Sequence, residues 1–162
     1  VYRKAVDFFI AVMMEHWDLF KGLGQKDALK ECENLCISTA KRPSVPHDFS
    51  VDFYKFPSYL RRAAINAAFG AVSSYKTRFA QWQVNPQGKE PGLPKPGRIF
   101  PAFYKGQQFV REGRYCARIK VFIRNTWDWV TISLRKTDVD YISLYCAARD
   151  ELCPAIRKRG KV

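Results

Sequence analysis

Few side chains in this sequence have the types and spacing that bond-making chemistry needs. The two histidines, His16 and His47, lie far apart with no companion motif. His16 stands beside Trp17 in an amphipathic stretch and reads as a packing or surface residue. Cys32 and Cys36 are one helical turn apart, which is half of a metal site at most. Zinc sites recruit a second pair close by, and none follows here. Asp138 and Asp140, in TDVDY, have a spacing common in turns and helix caps. No Gly-rich phosphate loop, nucleophile elbow or HExxH stretch occurs. No catalytic residue, metal ligand or cofactor is assigned, and the chain by itself is expected not to be an enzyme.

Binding chemistry is far better represented. There are 28 Lys/Arg against 15 Asp/Glu in 162 residues, a formal charge of +13. A field so skewed attracts polyanions, of which nucleic acid is the commonest large one. The charge is segregated along the chain. Residues 1–40 hold slightly more acid than base, whereas the excess lies in 41–97 and 98–162. Within RYCARIKVFIR, Arg118, Lys120 and Arg124 alternate onto one side of a strand, a row suited to successive phosphates. Arg98, Lys105, Arg111, Arg135 and Lys136 add to the field, and Tyr104 or Trp127 would offer rings for base stacking.

These residues need elements to position them. Val1 to Phe20 reads as one helix, with Tyr2, Val6, Phe9, Ile10, Met13, Trp17 and Phe20 on its apolar stripe. Gly22-Leu23-Gly24 stops it. A second helix covers about Lys26 to Ser38, with Leu29, Cys32, Leu35 and Cys36 on one side. Thr39 to Phe56, broken by Pro43 and Pro46, is expected to be an extended connection pinned by Phe49, Phe53, Tyr54 and Phe56.

Pro57 to Gln83 organises the rest. It contains no further proline and no acid, opens on Ser58, and carries Arg61, Arg62, Lys76 and Arg78 near its ends. Leu60, Ala64, Ala67, Ala71, Tyr75, Phe79 and Trp82 fall on one helical face. Its small-residue waist would let another backbone, protein or nucleic acid, come close. Residues 85–97, NPQGKEPGLPKPG, form a connector.

Beyond residue 98 the period turns to alternation. Phe100–Tyr104 and Gln108–Val110 flank a turn at Lys105-Gly106, and Arg114–Arg124 and Trp127–Leu134 are strands. Within Arg114–Arg124, Tyr115, Ala117, Ile119, Val121 and Ile123 share one side, and Cys116, Arg118, Lys120, Phe122 and Arg124 the other. A short helix is expected near 139–152. The fold class is therefore α+β: helices over 1–84, then a β-rich region over 98–162, an antiparallel sheet or small barrel. Five cysteines without a tight framework point to free thiols in a reducing, cytoplasmic compartment. No apolar run is long enough to span a membrane. Val1, within a helical pattern, and the closing RKRGK run read as the bounds of a piece of a longer protein.

KFPSYLRRAAINAAFGAVSSYKT, FPAFYKG and WDWVTISLRKTDVDYI resemble the amino-terminal half of OrfB/TnpB proteins, encoded by bacterial and archaeal insertion sequences. The resemblance covers about Tyr2 to Lys161. It implies an RNA-guided DNA endonuclease related to compact type V CRISPR effectors. In that family a helical recognition domain is inserted in an oligonucleotide-binding β-barrel, the wedge domain, and a RuvC-like nuclease follows. Here the helices to about residue 84 would be the recognition region, and 98–162 an incomplete wedge barrel whose exposed strand edges invite self-association. The nuclease carboxylates and zinc ribbon have no counterpart in these residues. The implied partners are guide RNA and target DNA, with sequence read by base pairing and position set by protein cations. Charge and placement select Arg61, Arg62, Ser73, Ser74, Lys76 and Arg78 for the heteroduplex and flanking motif. They select Lys105, Arg114, Arg118, Lys120, Arg124, Arg135 and Lys136 for guide RNA. An RNA-independent DNA-binding domain of a transposase is the alternative.

Overall fold

Helix α1 (Tyr2–Glu15) buries Ala5, Val6, Phe9, Ile10, Val12 and Met13, the stripe that three- and four-residue spacing produces. The computed structural model describes residues 1–97 and 106–140, and the backbone of 103–104 and 152–153. The expected single helix to Phe20 is interrupted at His16, whose φ of −107° and ψ of 30° leave the helical region. A one-turn helix, α2 (Trp17–Phe20), continues beyond it. No Gly or Pro marks this break; it coincides with a contact His16 makes far along the chain. Gly22 takes a φ of +79°, open to glycine at little cost, and ends the segment as its type suggests.

Helix α3 (Gln25–Cys36) turns Ala28, Cys32 and Cys36 fully inward. Its C-terminal carbonyls are collected by one side chain. The Arg42 guanidinium donates to Glu33 O and Ile37 O, each at 3.0 Å, and to Asn34 Oδ1 at 2.8 Å. A cation at the negative end of a helix, supplying donors to its last carbonyls, stabilises that end. Arg42→Ala should lower stability by about 2 kcal/mol and Tm by roughly 4–8 °C, followed by circular dichroism. Arg42→Lys should restore less than half, because a single ammonium cannot reach three acceptors in this fork geometry.

The 39–56 connection is irregular, as its prolines require, except for one helical turn, α4 (Phe49–Asp52). Asp48 caps that turn: Oδ1 accepts from Ser50 N at 2.9 Å and Ser50 Oγ at 2.6 Å. These two bonds hold its carboxyl below the ordinary range. Phe49 and Phe53 do pin the connection. Phe49 stacks on Phe9 with centroids 4.9 Å apart, and Phe53 stacks on Phe49 at 4.5 Å. Tyr54, expected to pin it too, is 73% exposed.

Helix α5 (Ser58–Val84) runs 27 residues and ends just before Asn85-Pro86. Its fully buried line is Leu60, Ala64, Ile65, Ala68, Val72 and Tyr75. The expected stripe through Ala67 and Ala71 is therefore displaced by one residue. Ile65 and Val72 bury more apolar surface than alanine, so their side takes the inward position. Ala67, Ala71, Phe79 and Trp82 are half-buried, and Gly70 is exposed.

Two antiparallel sheets follow. Strands β2 (Phe109–Gly113), β3 (Cys116–Ile123) and β4 (Thr126–Ser133) form an open sheet in the order β2-β3-β4. Strand β1 (Phe103–Tyr104) does not pair with β2 across the intervening turn but with β5 (Leu152–Cys153). Phe109, Ala117, Leu134 and Val139 form the sheet's core, with Ile119 and Ile132 against it. Of the expected 139–152 helix only the start is described: residues 136 to 140 are helical, 141–151 lie outside the described residues, and Leu152 belongs to β5 instead. The fold is α+β. It divides into a unit of Val1–Tyr54 with Arg61–Ile99 and a unit of Lys55–Leu60 with Phe100–Val162.

Candidate nucleic-acid interface

On α5, the side chains one step round from the buried line open a groove of about 550 Å³. Gln25, Asn66, Phe69, Gly70, Ser73, Ser74, Thr77 and Arg78 line it. Its polar groups are hydroxyls, amides and one cation, with no carboxylate, set beside the Phe69 ring on a lining that is more apolar than polar. A Cβ built at Gly70 meets nothing within 4 Å, so the groove floor is free space. Asn66 Oδ1 is buried there and meets no donor among the described residues, an acceptor that a ligand donor would satisfy. Arg78 is exposed and its Nε donates to Ser74 O at 3.2 Å, which aims the guanidinium along the groove edge. Lys76 lies to the side, its Nζ 5.9 Å over the Trp17 ring.

The second surface is a sheet face. The pairing Arg118↔Thr131, Lys120↔Trp129 and Phe122↔Trp127 puts these six residues on one side of β3 and β4. Ala117, Ile119 and Ile132 fall on the other, apolar side. The alternation read from the sequence therefore holds over Cys116–Ile123. Trp129 is its centre: Arg118 Cζ lies 5.7 Å and Lys120 Nζ 5.9 Å from its ring. Both lie within the range where an indole face attracts a cation. The ring thus gathers two long cations to one place, and Arg118 is also ion-paired with Glu112 at 2.5 Å, which offsets part of its charge. Trp127 is half-buried, with Phe56 and Phe122 packed edge-on to it at 5.2 and 5.5 Å.

The remaining sequence candidates are placed less favourably. Arg61 and Arg62 share Glu33 Oε1, each at 3.4 Å, and so cancel part of their own charge on the protein. Arg135 is bound to Asp138 through Nε (3.0 Å) and a terminal nitrogen (3.1 Å), while its backbone N–H meets the same carboxylate. That pair, which raises the Arg135 pKa, caps the helix beginning at 136. Arg124 leaves the proposed strand row, and Arg114 falls outside β3. Arg114 lies in the β2–β3 turn over Tyr115, and Arg124 and Asn125 take φ of +47° and +61° in the β3–β4 hairpin loop. Lys136 is exposed. Lys105 and the side chain of Tyr104 lie outside the described residues.

Sequence reading missed Trp129, although its two-residue offset from Trp127 signalled the same face. It also missed that His16 and His47 meet, their Nε2 atoms 2.8 Å apart beside the Glu15 carboxylate. Nothing in local spacing encodes that encounter. Cys32 and Cys36 behave differently. Both thiols are fully buried, and their mutual hydrogen bond plus burial pushes the Cys32 thiol far up, leaving it protonated and inert.

Comparison with known proteins adds a family. The sequence model of the Aq_aa04 family matches residues 1–123, from the first residue to the end of β3. The chain belongs to that family. It is 29% identical over 125 residues to the uncharacterized protein aq_aa04 of Aquifex aeolicus (strain VF5), covering 67% of each chain. No solved structure matches. Among the described residues, no helix is long and apolar enough to cross a membrane.

Proposed function

We propose that this Aq_aa04-family chain is a nucleic-acid-binding amino-terminal module of a transposon-encoded, RNA-guided DNA endonuclease of the OrfB/TnpB kind. The observation that carries the reading is the β3–β4 face, where Trp129 holds Arg118 and Lys120 side by side. Paired cations at two-residue spacing suit the phosphates of a single strand or an A-form backbone, and a sheet face presenting them is how small β folds grip RNA. On this reading β2–β4 and the β1–β5 pair are arcs of an oligonucleotide-binding barrel, and the α5 groove receives a heteroduplex backbone. The chain supplies grip rather than cleavage, and it works in the cytoplasm, where Cys32 and Cys36 stay reduced.

Purification from cells at low salt, followed by sequencing of whatever is released at high salt, tests the reading. The expected result is an RNA species of defined sequence. RNA-free protein that shifts transposon-end DNA supports instead an RNA-independent DNA-binding domain of a transposase. Protein that binds neither overturns both.

A further inference from the structure

The break in the first helix brings together side chains that the nucleic-acid reading does not use. Glu15 ends α1, and His16 occupies the non-helical link to α2. His47 comes from the connection before α4, where its backbone N–H donates to Leu35 O at 3.1 Å. The two Nε2 atoms are 2.8 Å apart, and the Glu15 carboxylate oxygens lie 3.7 Å from His16 Nε2 and 4.0 Å from His47 Nε2. All three ligand atoms fall within 4.8 Å of one another.

Two nitrogens bound at about 2.0–2.1 Å to a tetrahedral ion stand roughly 3.3 Å apart. An opening of about half an ångström therefore converts this pair into a chelate. The third ligand can move to meet it, because the Glu15 side chain is 63% exposed while the imidazoles are only 29% and 24% exposed. We propose that Glu15, His16 and His47 form a site for a divalent transition ion of the zinc class, with a fourth position open to water or another ligand. Two imidazoles and a carboxylate suit such an ion better than magnesium or calcium, which favour oxygen. Binding there would clamp the α1–α2 break to the 43–48 connection.

The test is unusually clean, since the chain has only two histidines. The full chain, labelled with ¹⁵N-histidine and stripped by a chelator, is titrated with Zn²⁺. Both Nε2 resonances should shift together and saturate at one equivalent. Tm should rise by several degrees once free zinc reaches about 100 times Kd. Co²⁺ should give visible bands of a four-coordinate N/O site without thiolate charge transfer. Glu15→Gln should weaken binding by about 10-fold or more, and His47→Ala should abolish it. If His47→Ala unfolds, Glu15→Gln still decides, because it alters an exposed carboxylate. Unmoved Nε2 resonances would leave only a hydrogen bond between imidazoles and overturn the proposal. A thiolate band, or Glu15→Gln binding zinc as tightly as the parent, would overturn it equally.

Discussion

Phe9→Ala should destabilise the helical unit by about 3–5 kcal/mol. Phe9 is fully buried on α1, stacked on Phe49 at 4.9 Å and edge-on to Phe8 at 5.3 Å. Phe49 in turn stacks on Phe53. Removing the ring therefore opens a cavity and also frees the one turn, α4, that fastens the 39–56 connection. Aromatic stacking adds to the loss from burial alone. Thermal and urea unfolding by far-UV circular dichroism should show Tm lower by roughly 10–20 °C. The contrast is Leu19→Ala on α2. Leu19 is 49% exposed, and its truncation should stay within about 0.5 kcal/mol of the parent. Equal losses at the two positions would mean that the Phe9–Phe49–Phe53 stack does not hold the connection.

Period carried most of what the sequence made legible. The apolar steps of α1 and the two-residue alternation of β3 express backbone geometry directly, and both appear as expected. Places where one local rule competes with another came out shifted. On α5, alanines and larger aliphatics occupy adjacent faces, and the inward side went to Ile65 and Val72. Ala64 and Ala68 pack inside protein, whereas Gly70, Ser73 and Ser74 face open space. The small-residue waist thus divides between core and groove. At the end of β3, Arg124 enters a left-handed turn that asparagine accepts readily and arginine does not advertise. Pairing was invisible altogether. Counting cations assigned Arg61, Arg62, Arg118 and Arg135 to a ligand, yet each faces a carboxylate of its own chain. Charge totals report a field, and only tertiary structure reports where its members are held: Arg118 and Lys120 lie together at the Trp129 ring.

That distinction sets the prediction of largest functional effect. Arg118→Glu with Lys120→Glu should weaken RNA binding roughly 10- to 100-fold at about 0.1 M salt, measured by filter binding or anisotropy. The slope of log K against log salt should flatten by about one to two units, because two phosphate contacts release fewer counterions. Trp129→Ala should act differently. It leaves both charges in place but removes the ring that positions them, so affinity should fall about 3- to 10-fold with the slope nearly unchanged. Arg135→Ala provides the control. Its guanidinium is committed to Asp138 in the helix cap, so its loss should cost stability and leave RNA affinity within about 2-fold. A double reversal that alters neither affinity nor slope would remove the β3–β4 face from the interface, and the α5 groove around Gly70 would then have to carry the binding alone. An Arg135→Ala variant as impaired as the double reversal would mean that net charge, rather than the cations ordered on Trp129, determines the grip.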